Sequence, residues 1–133
     1  MFGNDAGVTT LRACYFDDAY VFGDNGSFEN VQGDETWLEP WQGVESEGCG
    51  APVAPHDGSA DATFVYDGDA QTLTLNGAGA YIGLPKAING AEIGSVADVP
   101  ASISYNAYLN DDGTMSVTVE AGDGVWWNYL LTR

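Results

Sequence analysis

The sequence has very few basic residues. Its 133 residues include 3 Lys and Arg against 20 Asp and Glu, which gives a formal net charge of −17. Proteins that bind nucleic acids or anionic lipid headgroups need clusters of basic side chains to neutralise the phosphates, and this chain repels both. The charge therefore excludes nucleic acids and anionic membrane surfaces as partners.

Long apolar runs are also missing. The longest have about four residues, whereas a membrane-spanning helix needs about 20, so no membrane insertion is expected. Residues 1–5 contain neither the basic region nor the apolar core of a signal peptide. Either the export signal has been removed from this module or the protein is cytosolic. Because salt water screens the repulsion between surface carboxylates, the composition favours the first alternative, a module from a secreted protein, extracellular or on the cell surface.

Helical periodicity is absent as well. Apolar residues never recur at helical spacing over three turns, and 18 Gly with many Asn-Gly and Asp-Gly steps punctuate the chain. Alternating segments between these turns predict strands. The predicted strands are residues 13–16, 19–22, 27–31, 63–66, 72–76, 102–109, 115–120 and 125–131, with 77–83 as a bulged extension of the fifth.

We therefore predict an all-β fold with minimal helix. It would be an antiparallel β-sandwich or a meandering β-barrel of about seven to nine strands. The length fits a single β-domain over residues 1–133, with residues 1–11 as an irregular N-terminal extension.

Only two cysteines are present, Cys14 and Cys49. A disulfide between them would close a loop of about 36 residues and add about 3–4 kcal/mol of stability. The alternative is a pair of buried free thiols. Neither residue has a second Cys or a His beside it, so a zinc site is not predicted.

Two long segments, residues 36–59 and 84–100, do not alternate and are predicted as loops. The first carries Trp37 and Trp41, close to Glu39 and Gln42. Indole faces stack on the apolar faces of sugar rings, while carboxylates and amides bind the hydroxyls, so this set is typical of a glycan site. The alternative is that both indoles close one end of the core.

Two further side chains extend the candidate glycan site. Trp126 and Trp127 are adjacent in a predicted strand and must point to opposite faces. Trp127 shares the more apolar face and is predicted in the core, which leaves Trp126 as a binding ring. Asp57 is a candidate polar contact, and its neighbour His56 is predicted to brace the loop, because adjacent residues rarely form a catalytic triad.

Several carboxylates fall at predicted turns, and one Lys lies in the second loop. The turn residues are Asp17-Asp18, Asp24-Asn25, Asp67 with Asp69, and Asp111-Asp112. Asp and Asn are common turn formers, and none of these groups matches an EF-hand loop. Their number leaves one bound Ca²⁺ as the candidate cofactor. Lys86 is predicted either to pair with Glu39 or Glu92 or to be a plain surface charge.

Several motifs together resemble a known but uncharacterised module. They are Cys14-Tyr15-Phe16-Asp17-Asp18, Tyr20-Val21-Phe22-Gly23, Thr36-Trp37-Leu38-Glu39, Glu47-Gly48-Cys49-Gly50, Pro55-His56-Asp57-Gly58, Gly79-Ala80-Tyr81-Ile82-Gly83 and Trp126-Trp127. The chain is similar over about residues 12–133 to a β-module of secreted and surface proteins of marine Bacteroidetes and gammaproteobacteria. That module occurs beside polysaccharide-degrading domains such as family-16 β-glucanases. The resemblance implies an extracellular setting and assigns no residue a role.

These observations predict a noncatalytic, extracellular glycan-binding module. Its contacts would be Trp37, Glu39, Trp41, Gln42, Asp57 and Trp126. The alternative is a structural or assembly module that joins neighbouring surface proteins through its edge strands. An enzyme is not expected, because the sequence carries no nucleophile–base, metal or cofactor motif, and with 20 acids any close pair of carboxylates follows from abundance alone.

Overall fold

The computed structural model of the protein describes Cys14 and residues 18–132, and its regular structure is almost entirely β. The strands are β1 (Ala19–Phe22), β2 (Ser27–Val31), β3 (Thr36–Leu38), β4 (Gly48–Gly50), β5 (Ala62–Asp67), β6 (Thr72–Asn76), β7 (Ala87–Ile88), β8 (Ala91–Glu92), β9 (Ser102–Leu109), β10 (Met115–Gly122) and β11 (Val125–Leu131). Between residues 18 and 132 the helical elements are two 3-10 turns, Pro40–Gln42 and Val96–Asp98. Seven strands form one curled antiparallel sheet in the order β1-β2-β5-β6-β9-β10-β11, which confirms the all-β class.

Short turns join the hairpins of this sheet, as the Asn-Gly and Asp-Gly steps predict. In the β1–β2 hairpin Phe22 lies opposite Phe28. Its turn contains Gly26 at a φ of 87°, a conformation that side-chain-bearing residues rarely adopt. The β5–β6 and β9–β10 pairs are the other two predicted hairpins, and β11 covers the predicted residues 125–131.

Alternate residues of the sheet point to one side and build the core. In β6, Leu73 and Leu75 are buried, while Thr72 and Thr74 lie on the opposite side. The buried core residues are Phe28, Leu73, Leu75, Ala80, Tyr81, Ile82, Ala87, Ile103, Tyr105, Ala107, Val117, Val119, Ala121 and Tyr129. We call the side of the sheet that faces this core the inner face, and the other side the outer face.

Residues 79–85, the covering segment, lie over the inner face and are all buried, although they form no strand. This differs from the predicted extension of a strand through 77–83. Gly79 and Gly83 adopt φ values of 103° and 81°, which turn the chain out of the extended conformation. A Cβ on Gly83 would lie 2.1 Å from the ring of Tyr129, so the close approach of the segment to the sheet requires glycine here.

The first predicted loop, residues 36–59, contains a small two-stranded sheet, which corrects that prediction. β3 and β4 pair antiparallel, with Trp37 opposite Cys49. Each strand has three residues, too few for alternation to be recognised, and glycines flank Cys49 on both sides. The second predicted loop, residues 84–100, likewise contains the paired strands β7 and β8.

The turn between β7 and β8 is bonded to the main sheet. The side-chain amide of Asn89 donates to the carbonyl of Ser104 at 2.6 Å and accepts from its N–H at 2.8 Å. The N–H of Gly90 donates to the carbonyl of Glu120 at 2.9 Å. Because the β9–β10 pairing ends before these residues, the turn satisfies backbone groups that the two strands do not satisfy in each other.

The predicted disulfide between Cys14 and Cys49 is present, with Cα atoms 6.1 Å apart. It ties residue 14 to β4. Cys14 has a helical backbone, which differs from the strand predicted over 13–16, whose other residues lie outside the described part of the chain, as do Asp17 and the predicted extension 1–11. None of the described helical turns is long or apolar enough to cross a bilayer.

Candidate functional site

Lys86 lies immediately before β7 and connects two other elements through their carboxylates. Its Nζ is 3.4 Å from Oε2 of Glu39, which precedes the Pro40–Gln42 turn, and 4.0 Å from Oε1 of Glu92 at the end of β8. Both ion pairs that the sequence offered as alternatives are therefore present. Lys86 is also the one Lys or Arg within residues 18–132, so these carboxylates hold the described part's single permanent cation.

Each carboxylate of this group also lies close to an indole. Trp41 Nε1–H donates to Glu39 Oε1 at 3.4 Å, and Trp127 Nε1–H donates to Glu92 Oε2 at 2.7 Å. The ammonium of Lys86 is 5.4 Å from the centre of the Trp127 ring, within the range of a cation–π interaction. We call these five residues, Glu39, Trp41, Lys86, Glu92 and Trp127, the Lys86 cluster.

The cluster is accessible but not fully solvated. The side chains of Glu39, Lys86 and Glu92 are 13%, 23% and 37% exposed, and Trp41 and Trp127 are half-buried. Partial burial weakens solvent screening, so these ion pairs hold their geometry better than fully exposed pairs do. The cluster thus presents two aromatic surfaces and two oriented carboxylates to solvent.

His56 is buried and packs against Trp41 of the cluster. It is 3% exposed, and its imidazole meets the rings of Trp41 and Tyr81 edge-on at centroid distances of 5.5 and 5.6 Å. Burial lowers the pKa of His56 to about 4, so the ring is neutral near pH 7. Gln32 Nε2 donates to the His56 carbonyl and to the Tyr81 hydroxyl, both at 2.6 Å, which fixes the loop against the covering segment.

Two of the predicted contact residues lie in the interior. Trp37 in β3 is 4% exposed and Gln42 is 7% exposed. The Oε1 atom of Gln42 accepts the backbone N–H of Glu39 at 3.1 Å and so shapes the 3-10 turn. A buried indole offers no face to a sugar and a buried amide offers no free group, so we correct the expected contact set by removing Trp37 and Gln42.

Asp57 and Trp126 are accessible, but within the described residues neither forms a hydrogen bond or a ring contact with the Lys86 cluster. The carboxylate of Asp57 accepts the backbone N–H and hydroxyl of Ser59, and these hydrogen bonds lower the pKa of Asp57. Trp126 is 48% exposed on the outer face of β11, as predicted, whereas Trp127 points to the inner face. Of the predicted contacts, Glu39 and Trp41 therefore belong to the cluster, whereas Asp57 and Trp126 lie on separate surfaces and Trp37 and Gln42 are buried.

The described turn carboxylates serve the backbone of their own turns. Asp67 Oδ1 accepts the N–H groups of Asp69 and Ala70, and Asp112 Oδ1 accepts the N–H and hydroxyl of Thr114. Over Cys14 and residues 18–132, no three His, Cys, Asp or Glu side chains lie close enough to hold a metal ion. The predicted Ca²⁺ therefore stays a prediction without support from these turns.

Sequence analysis predicts no binding role for Glu92 or Trp127. Glu92 is one of the two predicted partners of Lys86. Trp127 is predicted in the core, and its ring does partly pack against the core. The sequence feature that points to this site is Lys86, which is isolated among 20 acids. An isolated cation attracts the nearest carboxylates. What the sequence could not supply was the approach of β8 to β11, which is a contact between distant segments.

The chain matches no family model, no curated protein and no solved structure. The resemblance to a secreted β-module therefore stays a prediction.

Proposed function

We propose that the protein is a noncatalytic glycan-binding module that binds sugars at the Lys86 cluster. One observation carries the proposal: a single lysine orients two carboxylates, each of which also accepts an indole N–H. Sugar sites combine aromatic surfaces with a few fixed polar groups, and this combination is what the cluster presents.

The fixed geometry supports binding over catalysis. A carboxylate held by an ammonium and an indole keeps free lone pairs for sugar hydroxyls, and no side chain has to be ordered when the ligand arrives. Glu92 is the more exposed of the two carboxylates and its distance to Lys86 is the longer one. It is therefore the group that we expect to contact the ligand first.

We further propose an extracellular location. The Cys14–Cys49 disulfide supports it, because structural disulfides persist in oxidising compartments. The net charge of −17 agrees with a surface that faces salt water.

The test is a binding measurement with polysaccharides and matched variants. Affinity electrophoresis and calorimetry with laminarin and other algal glycans are expected to detect a site whose affinity falls about tenfold in Trp41→Ala, the loss typical of an aromatic contact. Tyr66→Ala, which removes an exposed ring from β5, is the matched control.

Since Trp41 also packs on His56, Glu92→Gln provides a second variant that keeps the side-chain shape and removes one charge. We expect it to weaken binding without lowering the melting temperature. Binding that is unchanged in both variants, or no binding to any glycan in the panel, would refute the proposal.

The second candidate function is assembly through β11. In the described part of the chain this strand pairs with β10 alone. Its sequence has no charged residue and no Pro, and Val125, Trp126 and Leu130 are 46–55% exposed. An uncharged edge strand of this kind is a template for pairing with another chain.

Sedimentation velocity over a hundredfold concentration range tests this alternative. Self-association that Trp126→Lys abolishes would favour assembly, because a charge on the strand opposes pairing between chains. A monomer at all concentrations would argue against it.

A further inference from the structure

The outer face of the sheet carries a second surface suited to a ligand. Across β6, β9, β10 and β11 the outward side chains are hydroxyls, amides, two aromatic rings and one leucine, with Glu120 as the one charged group. A chain with 20 acidic residues thus leaves four neighbouring strands almost free of charge on this face. Core packing does not require this, because these positions point away from the core.

A shallow cleft lies on this face near the β5–β6 turn. It has a volume of about 200 Å³. Tyr108, 50% exposed, forms one wall, and Gln71, Asn106, Ser116 and Thr118 supply polar groups. The register explains why they meet, since Ser116 pairs with Tyr108 and Thr118 pairs with Asn106. Directly opposed residues of antiparallel strands point to the same side.

The polar groups of the cleft are available to a ligand. Within the described residues the side chains of Gln71, Asn106 and Thr118 make no hydrogen bond to another protein group. Gln71 is also the one described residue other than glycine with a positive φ, 56°, and its carbonyl accepts the N–H of Ala107 at 2.9 Å. Its backbone is thereby anchored to β9 beside the cleft.

The charge pattern selects the ligand class. An anionic polysaccharide would be repelled by the net charge of −17, and a cationic ligand would find no carboxylate among the residues that line the cleft. An uncharged sugar meets neither cost, and its ring can stack on Tyr108 while its hydroxyls bond to the amides and hydroxyls around it.

We propose that the outer cleft is a carbohydrate-binding site for uncharged polysaccharides, separate from the Lys86 cluster. Trp127 of that cluster and the outward residue Asn128 alternate on β11, so the two sites lie on opposite faces of the sheet. The site does not depend on whether the cluster binds a glycan. A second copy of the chain on this face is the competing occupant, and the experiment below separates the two.

The experiment compares laminarin, a neutral glucan, with alginate, a polyuronate, by affinity electrophoresis and calorimetry on the full chain. The variants are Tyr108→Ala and Asn106→Ala for the cleft, Trp41→Ala for the cluster, and Tyr66→Ala as the control. We expect laminarin to retard the wild-type chain and alginate not to do so. In the Trp41→Ala background, where the cleft is the remaining site, laminarin affinity should fall about tenfold when Tyr108→Ala is added, less when Asn106→Ala is added, and remain unchanged when Tyr66→Ala is added. Melting temperatures verify that all variants fold, and sedimentation velocity gives their oligomeric state.

Three outcomes would overturn the proposal. The first is laminarin binding that Trp41→Ala removes and Tyr108→Ala leaves intact, which would assign all binding to the cluster. The second is the absence of laminarin binding, or binding of alginate at equal strength. The third is a change in sedimentation coefficient in Tyr108→Ala without any change in laminarin affinity, which would identify the face as a contact between copies of the chain.

Discussion

His56 is a neutral imidazole enclosed by the rings of Trp41 and Tyr81. Its Nδ1 atom is buried and makes no hydrogen bond to the described residues. Asp57, next in the chain, favours the protonated imidazole, but burial outweighs it and keeps the pKa near 4. Protonation of His56 in the folded protein therefore lowers the folding stability.

We predict that His56 makes the protein less stable in mild acid. In the unfolded chain a histidine binds its proton near pH 6.5, whereas the folded chain resists protonation down to about pH 4. The unfolded state therefore takes up the proton first, and the free energy of unfolding should fall by about 2–3 kcal/mol as the pH drops from 7 to 4.

Chemical denaturation at pH 4, 5, 6 and 7 checks this prediction. His56→Gln is the reference, because it keeps a polar side chain without a titrating ring, and its stability should fall less over the same interval. The carboxylates titrate in both proteins and cancel in the comparison. Parallel pH curves for the two proteins would contradict the assignment.

Gly83 is the residue at which the covering segment comes closest to the sheet. Three ring atoms of Tyr129 lie within 2.5 Å of the position of a Cβ, and φ is positive. We predict that Gly83→Ala lowers the free energy of unfolding by about 3 kcal/mol or more, since overpacking adds to backbone strain. Gly90→Ala is the matched control, with a similar φ of 82° and no atom within 4 Å, and should cost about 1 kcal/mol. Equal losses of unfolding free energy in the two variants, measured by urea denaturation, would contradict the packing contribution.

At the scale of elements, the covering segment depends on tyrosine hydroxyls in place of strand pairing. The N–H groups of residues 82, 83 and 84 donate to the hydroxyls of Tyr105, Tyr20 and Tyr129 at 3.0, 2.9 and 3.2 Å. Burial raises the pKa of all three hydroxyls, so they stay protonated at any ordinary pH. Three consecutive backbone donors of a buried segment are thereby satisfied from three different strands.

We predict that Tyr105→Phe lowers the free energy of unfolding by about 1–3 kcal/mol, because the N–H of Ile82 would be left buried without an acceptor. Tyr108→Phe in the same strand removes an exposed hydroxyl and should change stability by less than about 0.5 kcal/mol. Urea unfolding curves of the two variants give the comparison. A loss in Tyr105→Phe no larger than in Tyr108→Phe would contradict the role of the hydroxyl.

The hairpins and the covering segment differ in how far the sequence could predict them. Hairpins depend on contacts between neighbours, such as the Asn25 amide oxygen accepting the N–H of Ser27, and these appear in the sequence as turn residues between alternating segments. The covering segment depends on hydroxyls up to 63 positions away, as in the bond from Gly83 to Tyr20. The sequence predicts it only as a bulged extension of a strand, because its hydroxyl partners are distant along the chain.

The candidate site divides in the same way. The Trp41–Glu39 contact lies within one turn, and the spacing of the two residues predicts it. Glu92 and Trp127 are 35 positions apart, and they meet where the β7–β8 turn is bonded to β9 and β10. Burial of Trp37 also could not be read from its neighbours, since it follows from the short β3–β4 sheet.

At the scale of the whole molecule, the negative charge is distributed unevenly. Carboxylates occupy the turns, as at Asp24, Asp67 and Asp112, where several serve as backbone acceptors, while the outer face of four strands is almost uncharged. Lys86 neutralises part of the charge near Glu39 and Glu92 and no other Lys or Arg is available between residues 18 and 132. Most of the mutual repulsion therefore remains for the solvent to screen.

We predict that folding stability rises with ionic strength. The screening length falls from about 30 Å at 0.01 M salt to about 10 Å at 0.1 M, so the repulsion that opposes the compact state weakens. The gain should be about 1–2 kcal/mol, or about 5 °C in melting temperature for a chain of this length.

Melting curves in NaCl and in tetramethylammonium chloride at equal ionic strength should coincide if screening is the cause. Millimolar CaCl₂ added at high NaCl tests the predicted Ca²⁺ separately, since a specific site would raise the melting temperature further. A melting temperature that does not change with NaCl or with tetramethylammonium chloride would mean that the carboxylates are spaced widely enough for their repulsion to be negligible.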